Sequence, residues 1–214
     1  MLKIKRFICN MIKENCYVAS DESGECVIID CGAYYDNERK EVVDYIKRNN
    51  LKPVHLVATH AHADHNFGNN TIFDEFGLNP EVNINDKFLM DKLPAQAAMI
   101  AGKPLGYDMP EVKNYLRGND EITFGNHRFI VMETPGHTPG SIFVYCREED
   151  VAFSGDTLFH NSIGRTDLEG GSMFRMIQSL RAISQLPDST VIYPGHGERT
   201  TIEAEVAINP YLDR

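Results

Sequence analysis

The sequence predicts a mixed α and β fold in which two strand-rich stretches each run out into helices. Three observations carry this. Short apolar runs of strand length crowd residues 2–30 and again 121–154. Helical periods follow them at 37–49 and 173–183. Strands and helices do not alternate regularly, which suits two sheets packed face to face with helices outside. At 214 residues one domain is expected, large enough for a stable core of its own.

In chain order, strands are expected at 2–9, 15–20 and 25–30, with Glu22-Ser23-Gly24 as the turn before the third. Residues 37–49 read as an outer helix with Val42, Val43 and Ile46 inward. A buried strand, Leu56-Val57-Ala58, follows Pro53. Asn69 or Asn70 is placed to cap a short helix that carries Ile72, Phe73 and Phe76 and ends at Gly77. Residues 86–118 sustain no period. They read as a short helix around 91–101, then either an ordered loop bordering the site or a packed connection filled by methionines. Strands are expected at 121–125, 128–134, 141–146 and 151–154. After Gly170-Gly171-Ser172, a helix should bury Met173, Met176, Ile177, Leu180 and Ile183. Thr200 and Glu203 form a capping-box pattern for the last helix.

Chemistry concentrates at the strand ends. His60, His62, Asp64 and His65 lie within six consecutive residues after the strand that ends near Ala58. Neutral imidazole and carboxylate suit zinc and related first-row ions. Two histidines two residues apart share no helix face, but in a loop leaving a strand they can converge on one ion. The same local grammar recurs three times. Phe129–Met132 runs into His137, Val151–Phe153 into Asp156, and Val191–Tyr193 into His196, each through small or turn-forming residues. Seven ligands exceed the roughly four of one tetrahedral zinc, and suit two ions sharing a carboxylate.

These residues resemble the metallo-β-lactamase-fold hydrolases, and among them the glyoxalase II-like (hydroxyacylglutathione hydrolase-like) proteins. THAHADH (59–65) resembles the signature T-H-x-H-x-D-H. TPGHTPGS (134–141), SGDTLF (154–159), GRTD (164–167) and YPGHG (193–197) resemble later blocks in the same order. The resemblance implies a four-layer α/β/β/α sandwich. It implies one metal held by His60, His62 and His137, a second by Asp64, His65 and His196, and Asp156 bridging. Asp64 and Asp156 are the candidate catalytic carboxylates. The cofactor expected is a pair of divalent ions, zinc first, with iron or manganese compatible. Asp30 resembles a family carboxylate that orients a ligand histidine or its loop; the plainer reading is a turn carboxylate capping Gly32. The resembling enzymes cleave thioesters such as S-lactoylglutathione. Those of two domains add a helical domain after the last ligand; here the sequence ends at Arg214, so less dependence on the glutathione moiety is expected.

A mononuclear iron persulfide dioxygenase is the alternative, resembled in T-H-x-H-A-D-H and GRTD. His60, His137 and Asp156 would be its facial set. YPGHG is closer to the hydrolases. A non-catalytic metal-binding protein would show broken ligand positions, and none is broken. Candidate substrate contacts are Arg165, His160 and Lys103; an ion pair between Arg165 and Asp167 is the preferred reading of GRTD. His127 is expected at the surface and His55 within the structure.

The formal net charge of −10 disfavours a nucleic-acid partner, and no apolar run approaches membrane-spanning length. The partner expected is a small thioester or ester. The five cysteines, odd in number and irregularly spaced, suggest reduced, buried thiols. With no export signal read at the N-terminus, a cytoplasmic location is expected and β-lactam hydrolysis disfavoured.

Overall fold

The computed structural model describes residues 1–212. The first sheet is formed by β1 (Lys3–Cys9), β2 (Glu14–Ser20), β3 (Glu25–Ile29), β4 (Lys52–Val57), β5 (Pro80–Asn83) and β6 (Asn114–Leu116), side by side in that order. Its first three strands are antiparallel; β3 through β6 are parallel. The second sheet contains β7 (Glu121–Phe124), β8 (His127–Glu133), β9 (Ile142–Cys146), β10 (Val151–Gly155), β13 (Val191–Pro194) and β14 (Thr200–Thr201). A small hairpin, β11 (Leu158–Phe159) and β12 (Ser162–Ile163), stands apart.

The two-residue period of a strand sends alternate side chains to opposite faces. From β3, Val27 and Ile29 join Phe129, Val131, Val144 and Phe153 of the second sheet in the central core. Cys26 and Ile28 point the other way, where Val42 and Ile46 of α1 (Asp36–Arg48) and Ile72 of α2 (Asn69–Phe76) cover them. The second sheet repeats the device. Phe143, Tyr145 and Ala152 pack under Met176, Leu180 and Ile183 of α5 (Met173–Ile183) and Ile202 of α6 (Ile202–Ile208). The layers are therefore α/β/β/α, as expected. Two further helices, α3 (Lys87–Met90) and α4 (Leu93–Ala101), occupy the first half of the 86–118 region; α4 tucks Leu93 and Ala97 against Ala63 and Phe67. All five cysteines are buried and free.

Several local expectations are corrected. Gly68, not Asn69 or Asn70, precedes α2, and Phe73 is exposed because the short helix buries only one narrow stripe. In α5, Met173 and Ile177 are also exposed, and Ser179 takes a place on the buried face. The last helix is capped by Thr201, whose hydroxyl accepts from the Ala204 N–H. Thr200 instead donates to Glu205. His127 is no surface turn residue. Its side chain is 7% exposed, 2.9 Å from Asp21 on one nitrogen and 2.9 Å from Glu149 on the other. His55 is structural as expected, paired with Glu81 on β5.

Candidate metal centre

Four strand ends meet at one edge of the sandwich. The loop after β4 carries His60, His62, Asp64 and His65; those after β8, β10 and β13 carry His137, Asp156 and His196. The chain turns sharply enough because glycine permits it at two points. Gly155 has φ +48, and a Cβ on Gly195 would lie 2.4 Å from Asp156 Oδ1 and 2.6 Å from His65 Cε1.

The structure brings all seven expected ligands together. One ligand atom from each of His60, His62 and His137 lies within 4.8 Å of the others, and the same holds for Asp64, His65 and His196. Between these sets lies Asp156. Its Oδ1 is 3.4 Å from His65 Nε2, and its Oδ2 is 3.5 Å from His137 Nε2 and 3.8 Å from His196 Nε2. His62 Nδ1 is 2.8 Å from His137 Nε2.

The other ring nitrogens are held from behind. His137 Nδ1 is 2.7 Å from the Arg165 carbonyl, and His196 Nδ1 is 3.2 Å from the Ile12 carbonyl. A carbonyl can only accept, so each of these Nδ1 atoms donates, which fixes the ring with its Nε2 side facing the cluster. His65 Nδ1 lies 3.1 Å from Asp30 Oδ2 as a charge pair, and Asp30 accepts hydrogen bonds from the Thr59 N–H and hydroxyl, each at 2.7 Å. Asp30 thus anchors the start of the ligand loop through Thr59 and sets its charge beside the His65 ring. Asn66 donates to the His60 and His62 carbonyls and closes the loop from inside.

Charge follows this packing. Burial pushes the His60 imidazole well below its usual range, and burial with the neighbouring His137 takes His62 down to about 4. Both rings are neutral at pH 7, the state that binds a metal. Burial works against the Asp64 carboxylate, yet His65 and His196 more than offset it and hold it ionised. For His65 the balance is reversed: burial opposes protonation, while Asp64, Asp156 and Asp30 raise it. His60 Nε2 and Asp156 Oδ1 are buried and make no hydrogen bond within the protein. Buried polar atoms are rarely left so. A cluster of imidazole and carboxylate donors converging within 4.8 Å fits divalent cations as the missing partners.

The three candidate substrate contacts separate. Arg165 lines the cavity over the cluster, with its guanidinium in a bidentate pair with Asp167 at 2.8 Å. His160 is not brought there; it lies 3.4 Å from Glu205 and is half-exposed. Lys103 borders a different depression, with Tyr34, Arg39 and Tyr107. Two supporting residues escaped the sequence reading. Asp86 accepts from the Ala61 and Gly140 N–H groups and the Thr138 hydroxyl, joining the first metal loop to the third-histidine loop. Asn15 donates to the Pro194 and Gly197 carbonyls, each at 2.9 Å, and fixes the turn of His196 across the two sheets. Neither sits in a motif or a periodic position, so no local signal marks them.

A family model for the metallo-beta-lactamase superfamily matches residues 12–196. The chain is 33% identical over 205 residues to hydroxyacylglutathione hydrolase GloC of Haemophilus influenzae, covering 94% of this chain and 93% of that protein. The crystal structure of the BLEG-1 B3 metallo-beta-lactamase superposes with a TM-score of 0.88 at 34% identity, over 98% of this chain and 99% of that one. TTHA1623, solved in a di-iron-bound form, gives 0.86 at 30% identity over 97% of this chain and 100% of the other. By sequence and by fold, the chain belongs to the metallo-beta-lactamase superfamily of metal-dependent hydrolases.

Proposed function

We propose that this protein is a glyoxalase II-like thioester hydrolase with a binuclear metal centre. The observation that carries the reading is the position of Asp156 between the His60–His62–His137 and Asp64–His65–His196 sets, with one carboxylate oxygen toward His65 and the other toward His137 and His196. A mononuclear iron site would take Asp156 into its facial set and leave the oxygen toward His65 without an ion to serve. Zinc is the expected metal, and the di-iron relative makes iron the second candidate.

His60, His62 and His137 would hold one ion and Asp64, His65 and His196 the other. Bound divalent ions supply a water-derived nucleophile at neutral pH and polarise a carbonyl. The protein contributes orientation. Asp64, ionised and lining the cavity, can accept a hydrogen bond from the attacking water. The Nδ1 bonds of His137 and His196 keep those rings from turning as charge develops. The thioester bond is cleaved by water, giving a carboxylic acid and a thiol. No cysteine nucleophile is called for, since the five thiols are buried.

The test reconstitutes one sample separately with zinc and with ferrous iron. The expected result is oxygen-independent release of thiol from S-lactoylglutathione or a simpler thioester, with little oxygen uptake on glutathione persulfide. A β-lactam belongs in the same assay, because one structural relative is a B3 metallo-beta-lactamase. Iron-dependent oxygen uptake without thioester cleavage by either form would overturn the proposal, as would β-lactam turnover in its place.

A further inference from the structure

The cavity over the ligand cluster, about 460 Å³, has a wall chemistry that bears on the substrate. Resting on the hydrolase reading, we infer that the substrate is an ester or thioester bearing an uncharged aliphatic chain, held by Ile12, Leu89, Met99, Ile100 and Leu168. Cavities of this size hold small organic ligands.

Two observations converge on this. The first is apolar surface left in water at the rim. Met99 is 86% exposed, Ile12 46% and Leu168 40%. The inward face of α4 is already filled by Leu93 and Ala97, so Met99 is surplus to the core. Three separate segments, before β2, on α4 and after β12, each contribute such a side chain to the same cavity.

The second is that the polar wall residues outside the ligand set are engaged elsewhere. Gln96 accepts from the Ala63 N–H and donates to the Ala61 and Leu89 carbonyls. Arg165 is paired with Asp167, and Glu169 with Lys92. Among the described residues lining the cavity, no cation stands free of a carboxylate partner. Glutathione carries two carboxylates and an ammonium, which are recognised by free opposite charges and donors. This wall offers methyl and methylene groups instead. A plain aliphatic chain gains from each of them.

The experiment varies chain length on either side of the scissile bond. Thioesters of neutral N-acetylcysteamine carry acyl chains of two to six carbons; a second series carries acetyl on alkyl thiols of the same lengths. A fully buried methylene is worth roughly a three- to fourfold gain. Across four methylenes at an open rim, kcat/KM should rise at least tenfold in one of the series, and the S-glutathione ester should not exceed its N-acetylcysteamine counterpart. Met99→Glu, a change at an exposed position, should flatten that rise while metal content is kept. Calorimetry with hexanamide reads the subsite without turnover. Binding with a negative heat-capacity change, weakened at least threefold by Met99→Glu, is expected. If no thioester is cleaved but hexanamide binds in this way, the hydrolase reading fails and the subsite stands. Flat series together with undetectable hexanamide binding, or a tenfold preference for the glutathione ester, would overturn the inference.

Discussion

Asp30→Asn changes one buried atom and should be felt in both stability and metal affinity. Asp30 is 1% exposed and has φ +53, a left-handed conformation that Asn also adopts, so the backbone is not strained by the change. What changes is donor count. The carboxylate accepts from the Thr59 N–H and hydroxyl and lies 3.1 Å from His65 Nδ1 as a buried ion pair. An amide has one acceptor oxygen. If it keeps the Thr59 N–H, its NH2 meets the hydroxyl, which can rotate to accept, and the His65 N–H, which cannot. Removing the charged partner of a buried ion pair costs about 3 kcal/mol. For a chain of this length that is roughly 6–12 °C in Tm. Because His65 then loses its orienting partner, metal affinity should fall about 10–100-fold. Thermal unfolding and competition against a chromophoric chelator read the two effects separately. A Tm within 2 °C of wild type with affinity changed less than about threefold would refute this account of how the ligand ring is held.

Two further outcomes follow from the packing. Gly195→Ala adds a methyl that collides with Asp156 Oδ1 and His65 Cε1, so it should abolish metal binding at the His65 set while the far-UV circular dichroism stays native; full metal content would contradict it. For His127, burial opposes protonation, but Glu149 and Asp21 outweigh it and raise its pKa; His55 is raised likewise by Glu81. Each such group stabilises fully below the ordinary value of about 6.5 and loses that contribution as pH rises through its raised folded value. At constant metal loading Tm should therefore decline from about pH 6 to pH 8.5, and the decline should be shallower in His127→Gln. A slope unchanged by that substitution would show that the Asp21–His127–Glu149 contact is not protonated in the folded state.

The site was more legible in the sequence than the scaffold around it. Each ligand follows an apolar strand and a turn, and both signals are local. What escaped was long-range. Pro80–Asn83 and Asn114–Leu116 are short and carry Pro, Asn and Glu, so nothing local marks them as strands. They are strands because β4 supplies a parallel edge for β5, and β5 for β6. Phe73, Met173 and Ile177 fit a helical stripe by spacing alone, yet each helix buries a narrower stripe than that spacing suggests. His127 looked like a turn residue, but Asp21, more than a hundred positions earlier, folds over it. His160 lies near a ligand block and Lys103 in the 86–118 region in sequence, and they are drawn off by Glu205 and by the Tyr34–Tyr107 depression in space. Asp86 and Asn15 act through backbone groups of distant loops, which a single sequence does not display.

The central claim is a pair of ions joined by Asp156, and metal stoichiometry tests it most directly. Elemental analysis of anaerobically reconstituted protein, beside the Asp156→Ala variant, should give two metals per chain for the first. The variant should lose metal at both positions, because one carboxylate faces both sets. One metal per chain in the wild-type protein, or two retained in the variant, would contradict it.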